Sequence, residues 1–121
     1  MAELKHPFAP QAVRDWAGDR PSWLELIRPK YSVVLNHLDL GEREAIALAA
    51  ELNADVLLID DHAGRQGARR RGLRVAGTLS VLDEADRAGF LNFEHAIAEL
   101  RKTSFRVAQS VVSEILQKRL R

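Results

Sequence analysis

The stretch from Leu38 to Asp61 constrains this chain most. Leu38-Asp39-Leu40-Gly41-Glu42 reads as an acidic helix start. Glu42 and Glu44 fall in the first turn, where negative charge meets the positive end of the helix dipole. Ala45, Ile46, Leu48, Ala49 and Leu52 form one apolar stripe at helical spacing, and Asn53 suits a left-handed C-cap. Asp55-Val56-Leu57-Leu58-Ile59-Asp60 then reads as a short apolar strand, the kind expected inside a parallel sheet covered on both faces. It ends on two adjacent aspartates, Asp60 and Asp61.

The remaining chain repeats this alternation. Residues 62–71 predict a helix ended by Gly72, and Leu73–Ala76 a second parallel strand. Gly77-Thr78 ends that strand, and Thr78 or Ser80 is placed to cap a helix through Val81, Leu82, Ala85 and Ala88. Gly89 stops it. Leu91–Lys102, capped by Asn92, and Ser104–Arg121 are the last two helices. Toward the N-terminus, residues 1–8 read as the end of an element. Pro10 opens a short helix to about Gly18, and Trp23–Ile27 reads as a strand closed by Pro29. Residues 30–38 fit a strand, a connecting helix or a loop. Strands alternating with helices argue for an α/β fold with a largely parallel sheet. At 121 residues and 46% apolar composition, one domain over 1–121 with its own core is expected.

Several classes are excluded or disfavoured. There are no cysteines, so disulfides and thiolate metal sites are out, which suits a cytoplasmic protein. No apolar run approaches the length of a membrane span. His6, His37 and His95 share no metal-ligand spacing, which argues against zinc. Gly64 and Gly67 fall inside a helix and do not form a phosphate loop. Trp16 and Trp23 read as core or interface anchors. The net charge is +1, yet five arginines (Arg65, Arg69, Arg70, Arg71, Arg74) crowd residues 62–74 without an acid. A second basic run closes the chain from Arg101. Basic patches beside an acidic site suit a polyanion; solvated helix faces are the alternative.

In an open α/β sheet, ligands bind beyond the carboxyl ends of the strands. Asp60 and Asp61 lie there. A helix antiparallel to the strand brings its start, and so Glu42, beside them. Glu42 lines up with Ile46 and Ala49, whereas Glu44 is turned away by about 200°. Grouped carboxylates repel one another unless a hard cation neutralises them, and Mg²⁺ or Mn²⁺ is the natural occupant. The competing reading is that these acids only cap helices.

Three segments together, Gly41–Ala49, Ala54–Asp61 with Ala63-Gly64-Arg65, and Gly72–Leu82, resemble a bacterial and archaeal PIN-like family related to the ribonuclease toxins of type II toxin–antitoxin pairs. The resemblance implies a central parallel sheet and acids around one or two divalent ions. It implies Glu42 and Asp60 as catalytic acids, and Glu3, Glu42, Asp60 and Asp61 as ligands of Mg²⁺ or Mn²⁺. Arg65 matches the family and suits a phosphate contact, and Arg69 is the next candidate to touch nucleic acid. RNA, a cognate antitoxin and a second copy of the chain are the implied partners. The family opens with a strand ending in aspartate, then a helix; this sequence starts about where the second acid falls. The domain is therefore expected to lack that first strand and helix. A metal-dependent ribonuclease is the expected function. The absent aspartate leaves open the alternative, a non-catalytic remnant that dimerises or binds a partner.

Overall fold

A computed structural model describes residues 5–31 and 38–120. Its first helix, α1 (Gln11–Gly18), follows Pro10, whose fixed φ and missing N–H suit the entry to a helix. Helix α2 (Leu40–Leu52) starts where Asp39 accepts a hydrogen bond from the Glu42 N–H, and stops at Asn53 in the left-handed region (φ 50°). Strand β1 (Leu57–Leu58), helix α3 (His62–Arg70) and strand β2 (Val75–Ala76) form a parallel strand–helix–strand unit. Leu57 is in register with Val75 and Leu58 with Ala76. The Leu57 N–H donates to the Arg74 carbonyl (2.8 Å) and the Ile59 N–H to the Ala76 carbonyl (2.9 Å). Three helices complete the order: α4 (Thr78–Arg87), α5 (Phe93–Arg101) and α6 (Gln109–Arg119). The fold is α/β, with a sheet of two strands among the described residues.

Two apolar clusters hold these elements. Leu38, Ile46 and Ala68 form the first, with Leu57, Ala63, Leu73 and Val75 packed around them. It seals α2 and α3 onto one face of the strands. The second is Leu79, Phe93, Ile97 and Val112, which joins α4, α5 and α6. At its edge Asp83, nearly buried, receives the Arg119 guanidinium and an ion pair from Arg87 (3.3 Å). Arg119 also stacks over the Phe93 ring, 5.0 Å from its centroid. The hydrogen bond to Asp83 comes first among the interactions holding Arg119 in its charged form. No described helix is long and apolar enough to cross a membrane.

Four sequence expectations give way to tertiary context. Trp23–Ile27 forms no strand. Its alternation is real, but a strand needs a neighbour to exchange hydrogen bonds with, and no described segment provides one. Trp23 is 74% exposed and Trp16 is also exposed, so neither is a core anchor. Among the described residues strand β1 is covered on one face only: Leu57 packs inward, while Val56 and Leu58 are exposed. The last helix starts at Gln109, well after Ser104. Thr103 turns the chain out of helix first, its hydroxyl donating to the Leu100 carbonyl (2.6 Å) and accepting from the Phe105 N–H (3.1 Å). The alternatives for residues 30–38 fall largely on positions outside the described residues.

Candidate active site

Successive residues of an extended chain point to opposite sides, so the two aspartates after β1 part company. Asp60 reaches toward α4. One carboxylate oxygen accepts from the Thr78 N–H (2.8 Å) and the other from the Thr78 hydroxyl (2.6 Å). Gly77, the N-cap of α4, has no side chain to satisfy that N–H, and Asp60 supplies the cap from the neighbouring strand. The Thr78 hydroxyl donates to Asp60 and does not cap its own helix. Asp61 caps α3, accepting from the Gly64 N–H (2.8 Å). The capping roles foreseen for these acids are thus both present. They do not use up the acids, because a carboxylate offers about four acceptor positions.

Glu42 stands in the first turn of α2, half-buried, while Glu44 is exposed. Burial comes first in raising the Glu42 carboxyl above its ordinary 4.5, followed by the negative charges of Asp61 and Asp39. Of the two strand-end aspartates, Asp61 is the one whose charge contributes to this rise. Glu3 lies outside the described residues. Among those described, no three acidic or histidine side chains are grouped closely enough to hold a metal ion.

A raised carboxyl destabilises the fold where it is ionised. The folded chain then binds more protons than the unfolded one, so stability falls as pH rises through the window above 4.5. Glu42→Gln is therefore expected to melt higher than the wild type at pH 7, and the two should converge as pH drops below the ordinary carboxyl value. Melting curves at several pH values check this; a constant difference would mean that Glu42 charge is not the cause.

Beyond the strand ends opens a cavity of about 550 Å³. Asp60, Asp61, His62 and Arg65 form one wall; Phe105 and Arg106, from the segment between α5 and α6, form another. Arg65 follows Asp61 by one helical turn, so both face the same way. Its Nε is buried and finds no hydrogen-bond partner among the described residues. A Cβ on Gly77 would come within 2.8 Å of the Asp60 Oδ1 and 3.4 Å of the Arg65 Nη1. Asp60 and Arg65 therefore converge over the bare backbone of Gly77. Arg69 sits a turn further along α3, exposed, and does not line the cavity.

A family model described as a PIN domain matches residues 5–120. The chain belongs to the PIN-domain family. No curated protein and no solved structure matches it. The match takes in every described helix and both strands of this PIN domain, and with them Glu42, Asp60, Asp61 and Arg65. It also takes in Phe105 and Arg106, which motif reasoning did not place at the site. The only signal for Arg106 was its membership of the C-terminal basic run. Thr78 was legible as a helix start but not as the partner of Asp60.

Proposed function

We propose that this PIN domain is a metal-dependent ribonuclease of the toxin type, cleaving RNA at the cavity beyond β1 and β2. The observation that carries the reading is the cavity itself, which sets two aspartates beside Arg65 and Arg106 at the carboxyl ends of parallel strands. The donors fit a hard divalent cation in kind, all being carboxylate oxygens. Burial comes first in raising the Glu42 carboxyl, and the charges of Asp61 and Asp39 add to it; a bound cation would offset that second part. Glu42 and Asp61 would hold Mg²⁺ or Mn²⁺, while Asp60, turned to Thr78, stands apart from that pair. Such an ion, when bound, offsets the charge developing on the phosphate and makes water more acidic.

The protein's own groups do the rest. Thr78 fixes the Asp60 carboxylate through two hydrogen bonds. Asp60 then presents its remaining lone pairs to the cavity, where it can accept a proton from attacking water. Arg65 offers its guanidinium to a phosphate oxygen from the opposite side, a charge-assisted contact that positions the scissile group.

The test is cleavage of single-stranded RNA with Mg²⁺ or Mn²⁺, for the wild type, Glu42→Gln, Asp60→Ala and Asp61→Asn, with a chelator control. Cleavage is expected only with the cation, and to fall by at least about a hundredfold in each variant, as loss of positioning and charge stabilisation implies. Mg²⁺ should also raise the melting temperature of the wild type more than that of Glu42→Gln. Equal background in all samples would end the nuclease reading.

A second reading, a non-catalytic module that dimerises or binds a partner such as an antitoxin, is favoured by one observation. Trp23, Leu26, Ile27 and Tyr31 all expose apolar surface along one segment. Absence of cation-dependent cleavage, together with a dimer in sedimentation, would move the assignment there.

A further inference from the structure

We infer that Phe105 and Arg106 form a clamp for single-stranded RNA, stacking one base and holding one phosphate next to Asp60 and Asp61. The inference rests on the reading of the cavity as a phosphodiester site, and its own support is separate. The segment between α5 and α6 is held at both ends. The Arg101 guanidinium donates to the Gln109 side chain across its base, and the Thr103 hydroxyl ties the turn to Leu100 and Phe105. Val107 is packed into the apolar cluster of α4, α5 and α6. Phe105 and Arg106 thus project from a fixed backbone.

Phe105 is half-buried, yet among the described residues it belongs to neither apolar cluster. It lines the cavity instead. An aromatic face kept out of the core, beside an exposed arginine, is the pairing that single strands use. The base stacks and the phosphate meets a cation, with little dependence on sequence. A duplex keeps its bases stacked on each other and has none to offer Phe105. Arg106 and Arg65 reach the cavity from different elements, which would seat neighbouring phosphates of one strand on either side of the acids.

The test is fluorescence anisotropy of a fluorescein-labelled oligouridylate with the full chain in excess chelator, so that no cleavage intervenes. Phe105→Leu should weaken binding roughly tenfold, within the range for losing one base stack, and Phe105→Trp should keep it. Arg106→Gln should weaken binding and flatten the slope of log affinity against log salt by about 0.7, one phosphate contact; Arg106→Lys should keep the slope. Matching thermal melts verify that the variants are folded. Wild-type failure to bind, unchanged affinity in Phe105→Leu and Arg106→Gln, or equally tight binding of duplex RNA would each overturn the clamp. Binding that depends on both residues without any cleavage in Mg²⁺ would support the clamp and sink only the catalytic reading.

Discussion

Replacing Phe93 by alanine is expected to remove about 3–5 kcal/mol of stability, the usual cost of emptying a fully buried aromatic site. Phe93 is 0% exposed and stands where three helices meet, in contact range of Leu79, Ile97 and Val112. Its backbone N–H donates to Asp86 (2.5 Å), and its ring carries the Arg119 guanidinium. Truncation would leave a cavity and also strip that cation of its aromatic face, worth roughly 0.5–2 kcal/mol. Domains of ordinary size hold only about 5–15 kcal/mol in total, so much of the margin goes. Urea unfolding measures it, with Phe93→Leu as the control expected to lose less because it conserves more volume. A loss under about 1 kcal/mol in the alanine variant would show that the cluster of α4, α5 and α6 does not depend on this ring. The effect reaches the site, because the segment bearing Phe105 and Arg106 hangs between two of the helices Phe93 joins.

What was legible in the sequence is what local physics decides. Asn53 ends α2 because a short polar side chain tolerates positive φ, and Gly72 (φ 79°) and Gly89 (φ 83°) end their helices for the same backbone reason. Asn92 caps α5 by accepting from the His95 N–H, as its spacing implied. The preference for Glu42 over Glu44 also held, since a helical wheel needs only the period. The unread features depend on what a residue meets. Trp23–Ile27 has strand alternation and finds no described neighbour to pair with. Asp60 and Thr78 are separated in sequence by a helix and a strand, and nothing in either local pattern announces that one will cap the other. Arg106 lines the cavity from a segment whose next residue, Val107, packs into the cluster of α4, α5 and α6.

The residues of the candidate site were legible in the sequence, their arrangement only in part. Spacing placed Glu42 near the strand end beside Asp60; of the two strand-end aspartates, Asp61 is the one whose charge adds to the rise of the Glu42 carboxyl. The basic run from residue 62 to 74 was read as one patch. In space it divides: Arg65 lines the cavity, and Arg69, one turn further along α3, is exposed and does not. Both lie on one face of α3, and it is position along the helix, not direction, that separates a candidate phosphate contact from a solvating charge.

Gly77→Ala should slow RNA cleavage by about a hundredfold, the scale associated with a misplacement near 1 Å at a reacting centre. Gly77 needs no special backbone freedom. Its φ of −108° and ψ of −179° are extended values that alanine adopts without strain. Space is the constraint. The added Cβ would lie 2.8 Å from the Asp60 Oδ1, so the carboxylate must shift, and 3.4 Å from the Arg65 Nη1. That shift pulls Asp60 away from the Thr78 N–H and hydroxyl, uncapping α4 at a cost of roughly 0.5–2 kcal/mol, small enough for the domain to stay folded. Gly18→Ala is the matched control. A Cβ there meets nothing within 4 Å, and its position in the last turn of α1 predicts full activity with slightly higher stability. Wild-type cleavage in Gly77→Ala would mean that Asp60 need not stand where Thr78 holds it, and would remove it from the reaction.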